Sequence, residues 1–130
     1  MKRLFYLWIF FAITSCTNDR TLDLSGGYYL MIEGTGANFI ANKSAKTREI
    51  PSDVISYSFD DQFIIAKQKP TPIDNVIFTP TVYKDGRDKT YYWLIVHHKK
   101  LVLGPLSEKA FNHVRKKYKV PDELKWLYLR

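Results

Sequence analysis

The chain has 130 residues and a formal net charge of +7 at neutral pH. This length suits one domain with a single core, and an aromatic content of 15% argues against an intrinsically disordered chain. The single cysteine excludes an intramolecular disulfide, so an exported domain of this sequence would depend on its core for stability.

The first 15 residues are organised like an export signal. Lys2 and Arg3 form a basic start, and the uncharged segment LFYLWIFFAI follows at residues 4–13. A helix of that length would rise about 15 Å, which is roughly half of a bilayer's hydrocarbon core. Residues 1–15 are therefore expected to be a signal peptide and not a stable membrane span.

The sequence Ile13-Thr14-Ser15-Cys16 resembles the lipobox of bacterial lipoproteins. In those proteins the cysteine accepts a diacylglyceryl group, and a signal peptidase then cleaves just before it. The resemblance implies that Cys16 is a lipid attachment site, with two or three acyl chains such as palmitate, because one chain alone binds a membrane only marginally. A free thiol behind an ordinary signal peptide is the alternative. Thr17 is not the aspartate typical of inner-membrane retention, which favours the outer membrane of a bacterial cell envelope.

Residues 16–26 are polar, and the sequence predicts a flexible tether there. Residues 27–130 are then expected to form a single domain. Within it, three segments rich in β-branched and aromatic residues predict strand pairs at 27–43, 54–68 and 90–106. Prolines between the second and third pairs exclude a central strand and leave room for a short edge strand at 75–78.

A helix is predicted after Leu106. Ser107 can cap its first turn, and Leu106 and Phe111 have the positions of a hydrophobic staple. One face of this helix is apolar and is expected to pack on the strands; it carries Ala110, Phe111, Val114 and Tyr118. The order of elements predicts an α+β fold, an antiparallel β-sheet of hairpins with a C-terminal helix packed on it.

Three motifs resemble a domain-of-unknown-function family of small bacterial lipoproteins. They are IIAKQ at 64–68, YYW-x-I at 91–95, and GPLSEKAF at 104–111 with KVPDEL behind it. In that family a strand carrying Tyr-Trp leads through a turn into Gly-Pro-Leu and a short helix. The resemblance covers most of residues 27–125 and implies the lipid anchor and the domain type. The family has no assigned activity to transfer.

Positive charge is concentrated in the C-terminal part of the chain. Residues 16–83 carry 6 basic and 8 acidic side chains, whereas residues 84–130 carry 12 basic and 5 acidic ones. Six cations of this part are hypothesised to contact anionic lipid headgroups or an acidic envelope polymer: Lys99, Lys100, Arg115, Lys116, Lys117 and Lys119. An ordinary solvated face is the alternative. Nucleic acid is discounted, because an exported protein seldom meets it.

Side chains that often carry chemistry form no recognisable catalytic or metal site in the sequence. His97 and His98 would point to opposite faces of a strand and are expected to be solvated turn residues. His113 has no zinc-type spacing to this pair. The adjacent Asp60 and Asp61 are expected to serve a turn, not acid–base catalysis. The sequence predicts no catalytic residue, no metal ligand and no cofactor.

The leading hypothesis is a non-enzymatic, lipid-anchored envelope protein that acts as a binding or accessory module, with an unidentified protein partner. The alternative is a lipoprotein that inhibits an envelope-directed hydrolase such as a lysozyme, using KPTPIDN at 69–75 or VHHKK at 96–100 as its inserted loop. A hydrolase that uses surface carboxylates ranks last, because the carboxylates are adjacent or scattered.

Overall fold

The computed structural model describes residues 19–34, 36–44, 46–71 and 80–129. The predicted signal peptide, Cys16 and the predicted strand at 75–78 lie outside these ranges. The strands within them are β1 (Arg20–Asp23), β2 (Tyr28–Ile32), β3 (Phe39–Asn42), β4 (Val54–Phe59), β5 (Phe63–Gln68), β6 (Tyr91–Val96), β7 (Leu101–Leu106) and β8 (Leu127–Tyr128). Helix α1 spans Glu108–Lys117, and a 3-10 turn at His97–Lys99 joins β6 to β7.

The described strands form two antiparallel sheets, where the sequence predicted one. The first sheet has the order β1-β2-β3, and the second has the order β7-β6-β5-β4-β8. The three predicted strand pairs are confirmed as β2–β3, β4–β5 and β6–β7. An isolated bridge between Ile40 and Ile50 follows β3, and the chain then enters the second sheet at Val54. Two sheets bury apolar faces that one open sheet would leave in water.

Strand β1 differs from the expectation of a flexible tether over residues 16–26. It pairs with β2, with Arg20 opposite Ile32 and Asp23 opposite Tyr29. All four residues of β1 are exposed, and a strand at the edge of a sheet needs backbone hydrogen bonds but no apolar side chains. Leu24 then packs on the core. Part of the predicted tether is therefore folded.

Side chains of β5 and β6 alternate between two apolar clusters, one on each face of the five-stranded sheet. On one face, Ile64 and Trp93 join Leu30 and Ile40 of the three-stranded sheet. The two sheets therefore share a core. Every one of these four side chains is fully buried.

The other face of the five-stranded sheet forms a cluster with α1. Leu94 lies in this cluster together with Phe111 of the helix, and the Phe111 ring stacks on Tyr92 with 5.2 Å between ring centroids. The Ser107 hydroxyl accepts a hydrogen bond from the Ala110 amide at 3.2 Å, which confirms the predicted helix cap. The α+β class is confirmed in this broad sense.

Trp93 and Gly104 meet in the core between the sheets. A Cβ atom on Gly104 would lie 2.4 Å from two carbons of the Trp93 ring, and the Gly104 φ of +151° is one that L side chains rarely adopt. The register between β6 and β7 shifts between Tyr92 and Leu94, next to this contact. Only glycine fits here, which gives a physical reason for Tyr-Trp and Gly-Pro-Leu occurring in one motif.

A buried polar network fixes the orientation of the Trp93 ring. Its Nε1 donates to Gln68 Oε1 at 2.7 Å. Gln68 is fully buried, and its Nε2 donates to the Ser52 carbonyl at 3.1 Å and to the Tyr83 hydroxyl at 2.8 Å. The Arg48 guanidinium lies over the same ring, 5.0 Å from its centroid. The indole therefore contacts Gln68 and Arg48 directly and is linked to Ser52 and Tyr83 through Gln68.

Gly104→Ala is expected to destabilise the fold by about 2–3 kcal/mol, because the new methyl group forces Trp93 or the strand to move. Urea denaturation of the full chain measures this loss. Gly36→Ala is the matched control, since Gly36 also has a positive φ of +81° but nothing within 4 Å of an added Cβ. Its cost is expected to be about 1 kcal/mol. Equal losses in the two variants would contradict the steric account.

Gln68→Leu is expected to cost about 2–3 kcal/mol, because it leaves the Trp93 indole N–H and the Ser52 carbonyl buried without partners. The same substitution in a Trp93→Phe background should cost less, since no indole N–H remains there to lose its acceptor. A double-mutant cycle by urea denaturation measures the difference. Additive losses would show that the Gln68–Trp93 bond does not stabilise the core.

Candidate functional site

The six cations hypothesised from the sequence lie at three places in the structure: the Tyr118 ring and two cavities. Lys99, in the 3-10 turn, and Lys117, in the last turn of α1, both lie near the Tyr118 ring. Their Nζ atoms are 5.4 Å and 5.6 Å from its centroid, respectively, which is within the range of a cation–π contact. The structure therefore brings together one cation from the strand-connecting turn and one from the helix.

A second group lines a cavity of about 690 Å³ beside the end of α1, and it includes Arg115, Lys116 and Lys119. Arg115 has a structural task there. Its Nη2 donates to the carbonyls of Pro121 and Leu124, at 3.0 Å and 3.2 Å, and so holds the segment after the helix. Lys116 and Lys119 are exposed, and their charges remain accessible to solvent.

Lys100 lines a different cavity of about 560 Å³, together with Lys46, Arg48 and His97. We call this space the basic cavity. No Asp or Glu is among the described residues that line it. Sequence reasoning missed Lys46 and Arg48, because they lie in the part of the chain where acidic residues outnumber basic ones. The only sequence signal was the local cluster of cations in SAKTREI.

His97 lies in the turn, as the sequence predicted, but it is only partly exposed, whereas His98 is exposed. A Cβ on Gly26 would lie 2.5 Å from Cγ of His97, so the β1–β2 turn covers the ring closely. The Nε2 atom of His97 is buried and has no hydrogen-bond partner among the described residues. The two rings are perpendicular, with centroids 6.5 Å apart, and they do not converge on one point.

The role expected for Asp60 is confirmed. Its Oδ1 accepts hydrogen bonds from the amides of Gln62 and Phe63, at 2.8 Å and 2.7 Å, and closes the β4–β5 turn. Across the described ranges, no group of three or more His, Cys, Asp or Glu side chains is placed to hold a metal ion. None of the helices described there has both the length and the apolar character needed to cross a bilayer.

The comparisons with known proteins give a family and no activity. No curated protein matches this chain, and no solved structure does. The family model described as "Protein of unknown function (DUF3997)" matches residues 25–129, a range that contains β2 to β8 and α1. Because the match covers most of the sequence, the chain belongs to the DUF3997 family.

Proposed function

We propose that this protein is a lipid-anchored component of the bacterial cell envelope whose folded domain is a non-enzymatic binding or accessory module. The position of the only cysteine carries the proposal. Cys16 ends a sequence that resembles a lipobox, and it follows a segment organised like an export signal. The outer membrane is the favoured location, because Thr17 is not the aspartate typical of inner-membrane retention.

The anchor and the fold would lie close together. Three residues, 17–19, separate Cys16 from the start of β1 at Arg20. Four Cα-to-Cα steps span at most about 14 Å, so a lipidated Cys16 would hold the first strand next to the headgroups. Because β1 is folded, this connection is shorter than the tether expected from sequence alone.

Lys99 and Lys100 lie beyond the end of β1 that is opposite the attachment point. Arg20 pairs with Ile32 at one end of β1, whereas Gly26, beyond the other end, contacts His97 beside Lys99 and Lys100. This arrangement favours an acidic envelope polymer over the headgroups of the anchoring membrane as the contact of Lys99 and Lys100. Charges in water interact over about one Debye length, roughly 8–10 Å at physiological salt, so these lysines would attract headgroups only within that distance of the membrane.

A non-enzymatic role is supported by the tasks that carboxylates already have in the fold. Asp60 closes a turn, Asp19 accepts a hydrogen bond from the Gly34 amide at 2.9 Å, and Asp53 accepts one from the Asn38 amide at 3.1 Å. Each of these three carboxylates thus serves a backbone amide, although Asp53 also lines a cavity of about 590 Å³ together with Glu33. Acid–base hydrolysis needs convergent groups that are free to exchange protons with a substrate.

The hypothesis of a hydrolase inhibitor stays a prediction. One of its two loops, KPTPIDN, runs into residues outside the described ranges. The other, VHHKK, forms the 3-10 turn and presents His98 and Lys99 to solvent. A lysozyme assay with micromolar protein tests it directly.

Detergent phase partitioning tests the anchor. The wild-type protein is expected in the detergent phase with the added mass of acyl chains, because each buried methylene contributes about 0.8 kcal/mol. Cys16→Ala is expected in the aqueous phase without that mass, and intact mass spectrometry distinguishes the two. If both proteins stay aqueous at the mass of the uncleaved chain, the lipid-anchor proposal is wrong.

Retention on a heparin column tests the polyanion contact. The double variant Lys99→Gln/Lys117→Gln should elute at clearly lower salt than wild type, because it removes both charges beside Tyr118. Lys84→Gln/Lys89→Gln removes the same charge from exposed loop positions and should elute close to wild type. Identical elution of the two double variants would show that only net charge matters and would contradict a localised contact.

A further inference from the structure

The basic cavity concentrates positive charge from two separate parts of the chain, and a third part completes its lining. Lys46 and Arg48 come from the β3–β4 connection and Lys100 from the β6–β7 turn, while Gly26 of the β1–β2 turn lines another side. Asp23, a nearby carboxylate, is paired with Lys43 at 3.3 Å. Three cations therefore face one space with no lining carboxylate to balance them among the described residues.

Neutral polar groups complete the lining and hold it in place. Asn42 bridges two segments, since its Nδ2 donates to the Gly26 carbonyl at 3.1 Å and its Oδ1 accepts from the Ser44 amide at 2.8 Å. Thr47 Oγ1 donates to the Ser44 carbonyl at 3.1 Å. Burial raises the pKa of Tyr28, and hydrogen bonds with Thr47 and Asn42 act in the opposite direction. The Tyr28 hydroxyl thus adds no negative charge near neutral pH.

Arg48 is oriented by the hydrophobic core. Its guanidinium lies over the ring of Trp93, and Gln68 fixes that ring from inside the fold. A guanidinium presents its N–H donors as a planar fork, which suits two oxygens of one oxyanion. Lys46 and Lys100 would add point charges around the same group.

His97 supplies a group that the protein itself leaves without a partner. Its Nε2 is buried with no hydrogen-bond partner among the described residues, although the ring lines the basic cavity. A buried polar atom in this state costs about 1–3 kcal/mol, so the ring beside the basic cavity has a nitrogen that no described residue satisfies.

We propose that the basic cavity is a binding site for a phosphate ester, with Arg48, Lys46 and Lys100 contacting the phosphate oxygens. A tetrahedral dianion matches one planar fork and two ammonium groups better than a single carboxylate does. A cavity of about 560 Å³ is larger than a phosphate group alone and leaves room for the organic part of the ester. This inference does not require lipidation of Cys16.

The phosphate ester has two possible sources, a soluble or polymeric compound of the envelope and a phospholipid headgroup. Gly26 follows β1 at the end that is remote from the anchor, and it contacts His97, which lines the basic cavity. The basic cavity therefore lies beyond that end of β1. The first source is therefore favoured over headgroups of the anchoring membrane.

Isothermal titration calorimetry of the full chain in non-ionic detergent, with glycerol 3-phosphate as the probe, tests the proposal. Arg48→Gln, Lys46→Gln and Lys100→Asn should each weaken binding about tenfold or more, as expected for loss of a charged hydrogen bond. Asparagine tolerates the left-handed conformation of Lys100, whose φ is 51°. Lys89→Gln is the control, because Lys89 is exposed in the β5–β6 connection and does not line the basic cavity.

Thermal unfolding checks that each variant is folded. Arg48→Gln also loses the contact with Trp93, so Lys46→Gln and Lys100→Asn decide the outcome if Arg48→Gln unfolds. Flotation with phosphatidylglycerol vesicles, compared with phosphatidylcholine vesicles, separates the sources. Saturable glycerol 3-phosphate binding that only the cavity variants weaken supports a soluble or polymeric ester. Phosphatidylglycerol binding that only these variants weaken, without glycerol 3-phosphate binding, supports a headgroup.

Two results would overturn the proposal. One is the absence of saturable binding to both probes at millimolar concentration. The other is an equal loss of affinity in Lys89→Gln and in the cavity variants, which would mean that binding follows overall charge. Because the lipid anchor is tested through Cys16 alone, its failure and the failure of the phosphate site can be told apart.

Discussion

The fit of the Trp93 ring against Gly104 is the constraint on which the rest of the structure depends. The indole fills the space between the two sheets, and no side chain at position 104 leaves room for it. Gln68 satisfies its one polar atom, so the ring is buried without leaving an unpaired donor. A large aromatic side chain with a fixed orientation then serves as the reference point around which two sheets pack.

The same ring links the core to the surface. One part of it contacts Gly104 and Gln68 within the fold, while Arg48 lies over it at the rim of the basic cavity. The position of a solvent-facing cation is therefore set by core packing and not by a flexible loop alone. Residues placed by rigid elements hold a ligand more precisely than freely moving side chains.

Local features of the fold could be predicted from the sequence, and non-local ones could not. Strand pairs and the cap at Ser107 follow from neighbouring residues, and the structure confirms them. The division into two sheets arises after β3, where a single bridge between Ile40 and Ile50 precedes the entry of the chain into β4, and no local pattern records this. Strand β1 was missed because its four side chains are all exposed, so it lacks the apolar alternation that marks a half-buried strand.

The candidate site shows the same limit. Lys100 was identified from the charge of the C-terminal part, but its neighbours Lys46 and Arg48 lie more than 50 residues earlier in the chain. Contacts between elements bring these segments together, namely that of the β1–β2 turn with His97 and that of Arg48 with Trp93. The histidine was interpreted as solvated, because sequence spacing does not show that a glycine turn covers its ring. Charge counts along the chain thus locate individual cations and not the cavity that they share.

Hydrogen exchange of the tryptophan indole N–H groups tests the central claim most directly. Beyond the predicted signal peptide the sequence contains two tryptophans, Trp93 and Trp126, so each gives one resolved indole signal in a ¹H–¹⁵N NMR spectrum. The Trp93 N–H, fully buried and bonded to Gln68, should exchange only through global unfolding. The half-buried Trp126 should exchange much faster. Equal and fast exchange of both indoles would contradict a core organised around Trp93.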